Sequence, residues 1–391
     1  MSTTTPDKDN TFRKYAPEAA ARYRSFRIPY PPTLINTVID THKSTGGHLD
    51  TLLDVGCGPG TATHSLAPLF QHAYGADPGP AMVEAAQKDA PITASGAPVQ
   101  FFVSTAEDLL TSIPEIKPGT VDLITAATAA HWFKLPGFYA AAAELLKPGG
   151  SIAMWCTGPQ YCDPYTTPNA VAVQAAIDKL QEEVIAPFEV EGNRLCHDLY
   201  AKLDLPWTIK DADAKTQAGL NEFDEGGFQR IVFNEGGKLE PGEEFVRGMK
   251  HASLEMTKKV WSTASPVQRW REAHKEQVEK GEVEDCLDRM VRVVKEAMGE
   301  VEEGKGRDWI DGGSSLVLLV IKKKTAHMSA SYVLLPGYLS SSIYATASIV
   351  MGGEIGQRFK HTAYIHGMFS AAQCWVQKTH SRDSMVQTRE V

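Results

Sequence analysis

The sequence predicts an α/β fold: a doubly wound parallel sheet followed by a helical cap. Three observations carry this. Between residues 50 and 156, five short apolar runs alternate with helix-patterned segments, the sequence form of consecutive βαβ units. The first run ends in the glycine-rich turn Gly56-Cys57-Gly58-Pro59-Gly60, and a helical pattern follows at once. Parallel crossovers are right-handed, which puts helices on both faces of such a sheet.

The elements follow in order. Residues 1–10 are small and polar and are expected to be disordered. Residues 11–45 form an N-terminal helical segment, a basic helix over 11–27 broken by IPYPP at 28–32 and a second helix over 33–42, because proline disfavours α geometry at itself and before itself. Residues 46–157 are the sheet core. DTLLDV, HAYGAD, VQFFV, GTVDLITAA and SIAMWC read as strands one to five, and GFYAAAAELLKPGG is a helix closed by a proline-glycine stop. Residues 158–324 supply the cap and the final strands, with strands at 228–236 and 314–322 and charged, helix-spaced sequence over 240–303. Residues 325–391 are an unassigned tail. Between His327 and Glu354 it has no charged residue or histidine, long enough for a membrane span, but Pro336 and its glycines and serines favour a loosely packed appendage.

Composition narrows the function classes. The 391 residues hold 39 basic and 48 acidic side chains, a net charge of −9, so phosphate neutralisation gives no reason to expect a nucleic-acid partner. Six cysteines, at 57, 156, 162, 196, 286 and 374, form no CxxC pair. They suit neither a disulfide scaffold nor zinc, and no metal is expected. Free thiols and an N-terminus without an apolar stretch point to a cytoplasmic protein.

The chemistry centres on the turn. Glycines allow sharp turning and close ligand approach, since no Cβ intervenes. Dinucleotide folds use GxGxxG, spaced for a pyrophosphate; here the spacing is GxGxG, with Asp54 two residues before the first glycine. That acid suits a cationic ligand. S-adenosylmethionine, with its ammonium and sulfonium, is one. Asp77 ends the second strand, where a carboxylate accepts from both ribose hydroxyls or caps the next helix. Strand three exits into Thr105-Ala106-Glu107-Asp108, where an adenine edge would lie or where the acids are simply solvated. A nicotinamide-dependent dehydrogenase and a non-catalytic cofactor-binding module are the alternatives.

The stretches LLDVGCGPGTAT, GADPGPAMVEAA, STAEDL, VDLITAATAAHWF and ELLKPGGSIAMW, in that order over residues 51–155, resemble the class I S-adenosylmethionine-dependent methyltransferases of the methyltransferase-11 type, similar to the trans-aconitate methyltransferase-like group. RYRSFRIPYPPTL upstream and WSTAS with Trp270 extend the likeness over about residues 11–324. The resemblance implies a Rossmann-like seven-stranded sheet whose two late strands include an antiparallel hairpin. It implies that Asp54, Gly56, Gly58 and Gly60 hold the methionine half, Asp77 the ribose, and Thr105, Ala106 and Glu107 the adenine. Many relatives carry an acid at the position of Thr105, and a threonine hydrogen-bonds adenine more weakly. Ala127 and Thr128 would line the methyl-transfer mouth. His131 is a candidate to position substrate or take a proton, or a structural histidine; Trp132 is a pocket wall or plain core. Tyr23, Arg24 and Arg27 would fold over the cofactor and meet an anionic substrate, or form a solvated helix face. Arg230 and Trp261 are further candidates in the cap. The expected reaction is methylation of a small molecule, with a small carboxylic acid as acceptor.

Overall fold

The computed structural model of the protein describes residues 25, 26 and 28–325. Strands β1 (Thr51–Val55), β2 (His72–Asp77), β3 (Gln100–Val103), β4 (Val121–Ala127) and β5 (Leu146–Cys162) are parallel neighbours in the order β3-β2-β1-β4-β5. Strand β8 (Trp309–Lys323) is antiparallel to β5. Two strands share its other edge end to end: β6 (Phe223–Phe233) along Leu316–Lys323 and β7 (Arg247–Ser253) along Trp309–Ser314.

Both faces of the central sheet are covered, so its inner strands are buried along their length rather than alternating; all five residues of β1 and the first six of β4 are buried. Successive residues serve opposite cores, as the pleat requires. Leu52, Leu123, Ala153 and Leu318 pack with helices α1 (Pro32–Ser44), α2 (Thr61–Leu66) and α3 (Pro80–Gln87). Leu53, Ile124, Ile152 and Leu319 pack on the other side against Phe138, Tyr139 and Ala142 of α4 (Leu135–Leu145). Helix α1 begins with proline at its first position, where the missing N–H is not needed. It buries Leu34, Ile35, Val38 and Ile39 at helical spacing.

The cap is built from α5 (Ala170–Leu180), α6 (Glu191–His197), α7 (Ala214–Leu220), α8 (Leu254–Trp261), α9 (Ser265–Ala273) and α10 (Cys286–Gly299). Helix α7 packs beside α4. Helices α5, α8, α9 and α10 enclose a separate core of Ile177, Leu254, Trp270, Leu287 and Met290, joined by Cys162 of β5 and Ile310 of β8. Asp285 starts α10 by accepting the backbone N–H of Leu287 and of Asp288, and Arg271 of α9 grips the same carboxylate through two bonds of 2.7 and 2.9 Å.

The sheet has eight strands rather than the expected seven. The additional strand, β7, lies within the stretch expected to be helical. Its sequence, RGMKHAS, carries no apolar alternation, and its strand state comes from pairing with the Gly312–Ser314 part of β8. The late strands β6 and β8 are antiparallel, but 75 residues separate them (234–308), so they form no tight hairpin. Strands β5 and β8 both run past the sheet into the cap, longer than the apolar runs that marked them.

Candidate active site

The carboxyl ends of β1, β2 and β4 and the cap enclose a cavity of about 930 Å3. Its floor is the turn after β1. Gly56, Gly58 and Gly60 have φ of 65°, 55° and 87°, a region that L-residues other than glycine rarely enter. A Cβ on Gly56 would lie 2.5 Å from the Ala129 Cβ, so the backbone needs that glycine for close approach. A Cβ on Gly58 would meet no atom within 4 Å; it would project into free space beside the turn, the kind of cradle that a ligand fills.

Asp77 stands at the end of β2, nearly buried and on the cavity wall. One oxygen accepts the Gly58 N–H at 2.9 Å and the other accepts the Gly79 N–H at 2.8 Å. It thus ties the turn to the start of α3. Asp77 does not cap α3 at the second or third position; Gly79 occupies the cap position.

Gly56, Gly58, Asp77, Thr105, Ala106 and Glu107 all line the cavity, as do Ala127, Thr128, His131 and Trp132. Asp54 and Gly60, expected to touch the ligand, do not line it. Asp54 is fully buried and accepts from the Thr63 hydroxyl at 2.6 Å and the Thr125 hydroxyl at 2.7 Å. It clamps α2 and β4 to β1. Burial raises its carboxyl from the usual range to about 6, with the nearby Asp77 adding to the rise and the two hydroxyls opposing it. Gly60 instead shapes the turn, its N–H reaching the Cys57 carbonyl at 3.0 Å.

The third-strand exit is internally bonded. Thr105 donates its hydroxyl to Asp108 at 2.7 Å, and Glu107 accepts the Lys134 N–H at 2.6 Å. Glu107 thereby joins this loop to the segment leading into α4, rather than being simply a solvated acid.

Past β4, Thr128 adopts φ 54°, and strained non-glycine backbone of this kind gathers at functional sites. Its N–H donates to the Trp155 carbonyl at 2.7 Å, and its hydroxyl lies 3.1 Å from the Tyr30 hydroxyl. Tyr30 and Ile28 also line the cavity. The Arg247 guanidinium lies 4.5 Å from the centre of the Tyr30 ring and donates to the Pro29 and Ile28 carbonyls at 2.9 and 3.0 Å. Segment 28–30 is thus strapped to β7 on one side and to the end of β4 on the other. Tyr23, Arg24 and Arg27, upstream in the same segment, lie outside the described residues.

His131 Nδ1 lies 2.8 Å from the Tyr200 hydroxyl and 3.1 Å from the Cys196 sulfur. The Trp132 ring packs where a Cβ on Gly192 of α6 would sit, at 2.5 Å, so α6 and the indole touch closely. Trp261 also lines the cavity, whereas Arg230 does not; it donates to the Leu199 carbonyl at 2.6 Å. Tyr30, Arg247, Cys196 and Tyr200 were not singled out from sequence. Only Tyr30, an aromatic set between prolines, carried a local signal.

Among the described residues, no group of three or more His, Cys, Asp or Glu is placed to hold a metal ion, and no helix is long and apolar enough to cross a membrane.

Residues 52–150 match the family model of the methyltransferase domain. The chain is 32% identical over 136 residues to the probable S-adenosylmethionine-dependent methyltransferase CRG1 of Saccharomyces cerevisiae, covering 35% of this chain and 44% of that one. It is 31% identical over 164 residues to the methyltransferase cfoB of Aspergillus candidus, covering 41% of this chain and 50% of that one. The matches therefore span half or less of these curated relatives. Among solved structures, phosphoethanolamine N-methyltransferase 2 of Haemonchus contortus in complex with S-adenosyl-L-methionine aligns with a TM-score of 0.38 and 13% identity, over 83% of this chain and 61% of that one.

Proposed function

We propose that this chain, whose residues 52–150 form a class I S-adenosylmethionine-dependent methyltransferase domain, methylates a small carboxylic acid held between the sheet edge and the cap. The observation that carries this reading is the cavity. It runs from the glycine turn and Asp77 to apolar cap residues such as Ile177, Leu254, Val260 and Met290. Its volume of about 930 Å3 falls within the range of small-molecule sites, and its apolar half suits an acceptor with an apolar body.

Gly56 and Gly58 would lie along the methionine half of the cofactor, Asp77 would accept from the ribose hydroxyls, and Thr105, Ala106 and Glu107 would border the adenine. Asp54 and Gly60 would act only by shaping the turn. When bound, S-adenosylmethionine supplies a methyl group on a sulfonium and departs as a neutral thioether. The protein's own part is orientation and exclusion of water. Trp132 walls the acceptor side. His131, which lines the cavity beside Trp132, would help position the acceptor. A carboxylate is already ionised near neutral pH, so positioning suffices and no base is required.

The test is turnover with methyl-labelled S-adenosylmethionine against a panel of carboxylic acids, phenols and amines. The expected outcome is release of S-adenosylhomocysteine with label in base-labile methyl esters of apolar acids. Label in base-stable ethers or amines would reject the carboxylate acceptor. No turnover, together with no calorimetric binding of the cofactor, would overturn the whole reading.

A further inference from the structure

The cap contributes a reactive centre that methyl transfer does not require. Cys196, at the end of α6, lines the cavity beside His131. Its sulfur lies 3.1 Å from His131 Nδ1 and 3.6 Å from Nε2. The Tyr200 hydroxyl lies 2.8 Å from the same Nδ1, and the Cys156 thiol donates to the Cys196 carbonyl at 3.9 Å. The imidazole therefore faces the sulfur with both ring nitrogens in reach. A neutral thiol is a weak acceptor, and a thiolate takes an imidazole N–H far better.

The surrounding backbone is committed to this arrangement. Leu199 and Tyr200 both adopt left-handed φ, 50° and 58°, which turns the chain back after α6. The Tyr200 N–H bonds the Leu195 carbonyl at 2.8 Å, and Arg230 of β6 pins the Leu199 carbonyl. The other cysteines of the described residues differ: Cys57, Cys156, Cys162 and Cys286 are buried, and burial raises the thiol of each. At Cys196 burial also pushes upward, but the neighbouring Cys156 thiol and His131 imidazole outweigh it and bring the thiol below its ordinary range.

We infer that Cys196 and His131 form a thiolate–imidazolium pair, and that Cys196 is a covalent modification site for small activated alkenes, the α,β-unsaturated carbonyl compounds, that enter the cavity. The thiolate adds to the β-carbon and forms the C–S bond. The alkene π pair becomes the enolate, and the His131 proton, first taken from the cysteine, passes to the α-carbon. No oxidant is needed and nothing leaves. An adduct here would occupy the acceptor half of the cavity.

The experiment labels the full chain with limiting N-ethylmaleimide and follows each cysteine peptide by mass spectrometry from about pH 6 to about pH 8. An ordinary thiol reacts about tenfold faster for each pH unit in this range, because only its thiolate attacks. Cys196 is expected to react at a nearly constant rate and, near pH 6, at least about tenfold faster than Cys57, Cys156, Cys162 or Cys286. His131→Asn is expected to restore the ordinary pH dependence at Cys196. An unlabelled Cys196 in the folded protein, or a wild-type rate that climbs tenfold per pH unit, would overturn the inference. The wild-type profile decides the matter even if His131→Asn does not fold. Labelling requires no turnover, so it is independent of the proposed methyl transfer.

Discussion

Asp54 and Asp77 are both carboxylates at the ends of neighbouring parallel strands, yet their surroundings give them different work. Asp54 sits in the dry interior between two threonine hydroxyls. Its carboxyl moves from 3.8 to about 6 on folding, a difference equivalent to roughly 3 kcal/mol. The folded protein holds the proton where the unfolded chain has lost it. The stability from this group is therefore full below about pH 4 and is lost as pH rises through about 6. Asparagine keeps a neutral hydrogen-bonding group there. Urea unfolding of Asp54→Asn and wild type at about pH 4 and about pH 7 should shift the difference towards the variant by roughly 3 kcal/mol at the higher pH. A difference independent of pH would show that Asp54 does not titrate in this way. Asp77, by contrast, lies on the cavity wall and holds the glycine turn to the start of α3. Asp77→Ala is expected to weaken S-adenosylmethionine binding about tenfold or more in calorimetry, the loss of roughly one charge-assisted hydrogen bond.

The turn after β1 separates two jobs that one motif appears to combine in the sequence. Gly56 is required by its neighbour Ala129, and Gly58 by the open space in front of it. Gly56→Ala should therefore lower the unfolding midpoint, at a cost of roughly 1–3 kcal/mol for forcing a methyl into filled space. Gly58→Ala should cost only about 1 kcal/mol of backbone strain while lowering cofactor affinity more than Gly56→Ala does, relative to its effect on stability. Thermal unfolding with and without cofactor distinguishes the two. The strap is a second such element. Arg247→Ala removes the donors that anchor the Ile28 and Pro29 carbonyls. Cofactor dissociation in stopped flow should rise roughly tenfold, with little change in the unfolding midpoint. An unchanged dissociation rate would mean that the strap does not retain the cofactor.

For the molecule as a whole, the parallel half was legible because its signals are local. Apolar runs, glycine spacing and a strand-end acid each lie within a few residues, and a doubly wound sheet of five parallel strands followed from them. The cap half was not, because its geometry depends on distant partners. Cys196 and Tyr200 reach His131 across 65 and 69 residues, and β7 becomes a strand only where Gly312–Ser314 receives it. Nothing near these residues in the chain marks them. Asp54 shows the converse limit: its place in the motif was legible, but not that Thr63 and Thr125 would enclose it.

Strand β8 completes this architecture, pairing with β5, β6 and β7 and ending at Lys323. A chain ending before Trp309 should not fold. The same strand limits how the protein can open. One uninterrupted ribbon runs from the sheet floor into the roof and is zipped along both margins. The roof therefore cannot swing like a hinged flap without unzipping that seam.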